Sequence, residues 1–162
     1  MPHIIESGFP RSALAGVAMI LLACAPALAH EHPGPAVVPE AERAAGAAKA
    51  FSGPTENRGI AKIEPVAAID LASEFPELTG RQFRARVITL DPGAVVAVHE
   101  HQQRPGIAYI LEGEVVETRN DADAPIIRGV GAVAIERTGV VHFWENRTDR
   151  QARALIVDIV PR

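Results

Sequence analysis

The stretch GAVVAVHEHQQRPGIAYILEGE, Gly93 to Glu114, carries two histidines, His99 and His101, with one residue between them. In an extended strand, residues two apart project from the same face, so both imidazoles aim into whatever that face encloses. By the same alternation Val95 and Ala97 share their face, and Glu100 points the other way. A third histidine, His142, lies on a later run, TGVVHFWEN (Thr138 to Asn146). Three neutral imidazoles converging inside a barrel suit Fe, Mn, Zn, Ni or Cu. Against this stands the blander reading that a lone buried histidine is a satisfied core residue, and a His-x-His pair on an exposed strand an accident.

Outward from this stretch, residues 58–162 break into short apolar runs of 3 to 9 residues separated by turn residues. The separators include Asp91-Pro92-Gly93, Glu112-Gly113, Asn120 to Pro125, Gly129 to Gly131 and Thr138-Gly139. No run keeps helical spacing long enough for a core helix, and the pattern predicts one all-β antiparallel domain that closes or nearly closes into a barrel. The length of 162 residues fits one domain plus leader sequence, and a formal charge of −4 without a basic patch argues against a nucleic-acid partner. A single cysteine, Cys24, rules out a disulfide framework within the chain.

The same residues resemble the cupin superfamily, whose first motif reads G(X)5HXH(X)3,4E(X)6G and whose second reads G(X)5PXG(X)2H(X)3N. Gly93, His99, His101 and Gly113 fall in register for the first motif, and Gly131, Gly139, His142 and Asn146 for the second. Gly106 stands where the first motif has glutamate, and Arg137 where the second has proline. The resemblance covers residues 58–162 and implies a single cupin barrel, a double-stranded β-helix or jelly roll. It implies a divalent metal held by His99, His101 and His142. It cannot supply the carboxylate ligand, because Gly106 has no side chain. The expected site is therefore more positive and more open than the family pattern, suited to an anionic chelating ligand. Gln103 is the first candidate for an extra ligand, with water or substrate as the alternative.

Around this centre, Trp144 and Asn146 alternate with His142; Trp144 either walls a substrate pocket or is plain core, and Asn146 organises a turn. Arg84 and Arg86 share a face of RQFRARVITL (Arg81 to Leu90), favoured as an outer, solvated face over a lumenal anion clamp. Arg104, in the loop after His101, is placed to meet an anionic ligand at the barrel mouth. Tyr109 points opposite to Gly106 and Ala108, toward packing between sheets or a subunit contact. No carboxylate pair or nucleophile is evident in the lumen, so any chemistry would run through the metal.

Residues 1–29 read as an export signal: ALAGVAMILLACAPALA (Ala13 to Ala29) is uncharged and ends in the small-x-small site Ala27-Leu28-Ala29. The alternatives are a lipoprotein box, ILLAC (Ile20 to Cys24), with Cys24 lipidated, and an uncleaved membrane anchor. All three place the folded part outside the cytoplasm, in the periplasm on the first reading, with the membrane touched only through leader or lipid. Residues 30–57, with prolines at 33, 35, 39 and 54, read as a flexible tether containing a short helix from Pro39 to about Phe51. Cleavage after Ala29 would expose His30 as an amino-terminal histidine able to chelate copper weakly with His32.

Two functions follow as expectations. One is a metal-dependent, Fe(II)-type dioxygenase acting on a small anionic chelating substrate, and cupin-type isomerase or lyase chemistry stays open beside it. The other is a non-catalytic extracytoplasmic protein that captures a metal or small ligand. A homodimer is compatible with either, and the scaffold alone does not choose.

Overall fold

The computed structural model describes residues 38–162; the leader, the Cys24 lipid box and the His30–His32 pair lie outside them. Helix α1 (Glu40–Ala48) precedes eight strands: β1 (Arg58–Asp70), β2 (Arg81–Glu100), β3 (Gly106–Glu112), β4 (Glu114–Arg119), β5 (Ile126–Gly129), β6 (Val133–Glu136), β7 (Val141–Glu145) and β8 (Ala152–Pro161). All pairings are antiparallel, in the order β5-β4-β7-β2-β8-β3-β6 with β1 added beside β2. The sheet rolls into a nearly closed barrel, and its core joins Ile88, Leu90, Val96, Ile110, Trp144 and Ile156 from four strands. Among the described residues no helix is long and apolar enough to cross a membrane.

The two runs predicted before and after Asp91-Pro92-Gly93 are one long strand, β2. Gly93 takes a positive φ of 74° that suits glycine, and its N–H donates to the Asn146 carbonyl, so the chain bends there without leaving the sheet. Before the bend β2 pairs with β8, from Arg81↔Pro161 to Leu90↔Ala152; beyond it β2 pairs with β7, from Val95↔Glu145 to Glu100↔Val141. Asn146 secures this corner: its Nδ2 donates to the carbonyls of Leu90, Asp91 and Arg150, and its Oδ1 accepts from the Thr148 N–H. It organises turns, as the sequence suggests.

The described part of the expected tether is not free chain. Helix α1 forms where a helix is predicted, but it packs on the barrel, burying Glu42 and Gly46 with Val38 just before them. A Cβ on Gly46 would lie 2.9 Å from the His99 Cα, so the helix and β2 meet backbone to backbone. Phe51 then packs on Phe143, with ring centroids 6.2 Å apart, in a small cluster with Val98 and Val141. Residues 38, 42 and 46 repeat every four positions, which places them on one stripe of a helix. Proline and alanine content hid that stripe.

Candidate metal centre

A register shift between Val96 and His99, where β2 passes β7, reverses the strand's alternation. Val96 and His99 both face inward, opposite Trp144 and His142 respectively. Val96, rather than the expected Val95 and Ala97, therefore lies beneath the histidines. His101 follows directly after β2. The three Nε2 atoms converge at 2.9 Å (His99 to His101), 3.1 Å (His101 to His142) and 3.1 Å (His99 to His142), all buried.

These short approaches are not a set of hydrogen bonds. His99 Nδ1 lies 2.8 Å from the Ala97 carbonyl and His142 Nδ1 lies 2.7 Å from Glu117 Oε1; both partners only accept, so each ring proton sits on Nδ1. In neutral rings the Nε2 atoms of His99 and His142 are then lone pairs aimed at each other across 3.1 Å. Lone pairs at that distance repel unless a cation lies between them. The separation also matches the edge of about 3 Å expected for nitrogens about 2.1 Å from one ion at right angles. Burial above all, aided for His99 by His142 and for His101 by His99, holds both imidazoles well below their usual pKa, in the neutral form that ligates metal. The donors fit a divalent transition metal.

Carboxylates support this triad from strands distant in sequence. Glu117 on β4 accepts from His142 and from Arg128 Nε at 2.9 Å. Burial opposes its charge, but His142, Arg128 and Arg119 outweigh that and hold its pKa at about 2. Such an acceptor behind a ligating histidine fixes the ring and raises its basicity. Glu136 on β6 lines the same cavity, with Oε2 3.4 Å from His101 Nδ1, and burial pushes its carboxyl up to about 7. The lumen thus holds buried carboxylates where the sequence makes no carboxylate pair evident. Inward alternation of Ala134 and Glu136 along β6 was the one signal that could have revealed the latter.

Gly106 pairs with Glu136 on one side and with Asp158 of β8 on the other. A Cβ there would lie 2.7 Å from the Val157 carbonyl oxygen and 2.9 Å from the Asp158 Cβ. The position lacks a side chain because packed strands leave no space for one. Gln103 does not take over as a ligand: it is exposed, and its Oε1 accepts from Arg81 Nη2 at 3.0 Å. Arg84 and Arg86 face inward rather than forming the favoured solvated surface. Arg84, directly opposite Asp158 in the β2–β8 register, donates to both its carboxylate oxygens at 3.0 and 2.9 Å. Arg86 lines the histidine cavity, where burial and the neighbouring Arg84 bring its pKa down to about 10. Arg104 is buried, bound through Nε and Nη2 to the Glu42 carboxylate and through Nη1 to Asp158 Oδ2 at 2.7 Å. Trp144 is both core and cavity wall, standing edge-on to His142 with centroids 6.3 Å apart. Tyr109 lies on the outer surface, 40 % exposed, instead of between sheets.

The cavity bounded by the histidines, Arg86, Arg104, Glu136 and Trp144 has about 20 Å³, room for one water-sized body. A larger cleft of about 520 Å³ lies on the other side of Arg104, bordered by Glu42, Arg84, Gln102 and Gln103.

Residues 86–158 match the family model described as a cupin domain. No curated protein matches the chain by sequence. Among solved structures, the chain is similar to the Cnp3 cupin domain of Schizosaccharomyces pombe, at 21 % identity and a TM-score of 0.44, over 47 % of this chain and about half, 51 %, of that one. It is similar to KdgF from Halomonas sp., at 16 % identity and a TM-score of 0.50, over 66 % of this chain and 86 % of that one. A third is a cupin 2 conserved barrel domain protein from Salinispora arenicola, at 16 % identity and a TM-score of 0.46, over 64 % and 80 % of the two chains. The barrel's strand pairing and the family match agree with the two histidine motifs read from the sequence: residues 86–158 match a cupin domain.

Proposed function

We propose that the protein binds a divalent transition metal through His99, His101 and His142 and offers it to a small anionic ligand. The observation that carries this is the convergence of the three buried Nε2 atoms of His99, His101 and His142, 2.9 to 3.1 Å apart, with the Nδ1 atoms of His99 and His142 each turned to an acceptor. Bound there, an Fe(II) ion would supply dioxygen chemistry to a ligand beside it, and on this reading the protein is an oxygenase. The chain's own groups would serve that ligand: Arg86 as a fixed positive charge, Trp144 as an apolar wall, and Glu136 beside His101 as a neighbouring carboxyl. A second reading, metal capture without turnover, is favoured by the cavity of about 20 Å³, which holds a metal-bound water but not an organic substrate. Both readings include export by the leader, into the periplasm or onto a membrane through Cys24.

Elemental analysis of the purified protein tests the metal, and oxygen uptake by the Fe(II)-loaded protein with catechols, β-diketones and thiols separates the readings. Substrate-dependent uptake supports the oxygenase; stoichiometric metal without uptake supports capture. A metal-free protein that stays empty on reconstitution would overturn both.

A further inference from the structure

Arg104 stands between the two cavities, lining the histidine chamber on one side and the larger cleft on the other. Its guanidinium presents a fork that matches a carboxylate, and the Glu42 side chain from α1 fills that fork with both oxygens. Arg84, Arg86 and Arg104 all reach Asp158 at the mouth, and Arg104 keeps its Nε–Nη2 edge for another carboxylate. Glu42 supplies it from outside the barrel. Burial raises the Glu42 carboxyl above its usual pKa even against the pull of Arg104, so this carboxylate is held at a cost in solvation.

The helix that delivers Glu42 is a weak element. It has nine residues, no side-chain hydrogen bond at its N-cap and no basic residue in its last turn. A helix this short is marginal alone and depends on its docking. That docking rests on Val38, Glu42 and Gly46 along one stripe. Segments held by so few buried contacts open at low free-energy cost.

We propose that Arg104 is a recognition residue for the carboxylate of a small organic acid, and that Glu42 is a tethered stand-in which that carboxylate displaces. Displacement frees α1 from the mouth and joins the outer cleft to the histidine chamber. The inference rests on the metal-centre reading, since it describes how a ligand reaches that centre, and it explains how a chamber of about 20 Å³ can serve a larger molecule.

The test uses the full chain loaded with zinc, malonate as the probe and malonamide as its uncharged counterpart. Calorimetry compares wild type with Glu42→Gln, which weakens the stand-in, and Gly46→Val, which pushes α1 off the His99 backbone without altering any charge. Both variants are expected to bind malonate at least 10-fold more tightly than wild type, and the double variant Glu42→Gln/Arg104→Ala is expected to lose that binding. In wild type, malonate should speed amide hydrogen exchange across residues 40–48, and malonamide should not. Equal malonate affinity in wild type and both single variants, or exchange in α1 that is unchanged or slowed by malonate, would overturn the proposal and leave Glu42–Arg104 as a structural clasp. Zinc content is measured in the same samples. Full zinc without a malonate effect refutes the stand-in alone, whereas absence of bound zinc refutes the metal centre beneath it.

Discussion

Replacing Gly106 by alanine probes why this barrel lacks the motif glutamate. The added Cβ would sit 2.7 Å from the Val157 carbonyl oxygen and 2.9 Å from the Asp158 Cβ. Both neighbours belong to the centre of β8, which is paired with β2 and β3 on its two sides and cannot step back. Overpacking of this kind costs about 1–3 kcal/mol. The stiffer unfolded chain returns about 0.4–1 kcal/mol. The net loss is centred near about 1.3 kcal/mol and is at most about 2.6 kcal/mol, the central value being a fall in melting temperature of roughly 4–8 °C for a domain of this size. Calorimetric melting of metal-free protein reads it directly. Gly106→Glu should be far worse, because it would bury a carboxylate beside Asp158, and it should not tighten metal binding. An alanine variant as stable as wild type, or a glutamate variant that folds and holds metal more tightly, would show that position 106 faces the histidines with space to spare and would refute this account of the gap.

The other expected outcomes concern supporting groups. Glu117→Gln removes the charge behind His142 and should weaken metal affinity about 10–100-fold, read by chelator competition with unchanged far-ultraviolet circular dichroism; unaltered affinity would remove Glu117 from the site. For Asp158, burial raises the pKa, but Arg84, Arg86 and Arg104 outweigh it and bring it below the usual 3.8. Its ion pairs therefore add stability that is complete above about pH 4 and lost as the pH falls through the lowered value. Urea unfolding of Asp158→Asn should show a deficit at pH 7 that shrinks toward pH 3; a constant deficit would contradict that linkage. Intact mass of the exported protein should begin at His30, and a diacylated Cys24 terminus would select the lipoprotein alternative.

Strand periodicity and the two histidine motifs made the barrel and the triad legible, because a strand's alternation and a metal's ligand spacing are both local. What escaped was set by pairing across long sequence separations. Glu117, Glu136 and Asp158 reach the lumen from β4, β6 and β8, and nothing near His99 announces them. Arg84 and Arg86 look like a solvated face until β8 places Asp158 opposite Arg84. The register shift between Val96 and His99 inverts the expected neighbours of the histidines, and no residue type marks it. In α1, the signal was a four-residue spacing of Val38, Glu42 and Gly46 within an alanine- and proline-rich stretch, and it was masked by composition.

The central claim is that the three imidazoles hold one metal ion, and metal content of wild type beside His99→Ala and His142→Ala tests it most directly. Wild type purified after growth with added transition metals should carry about one equivalent per chain, and each variant should lose it while keeping its strand content. Equal metal in wild type and both variants would contradict the claim.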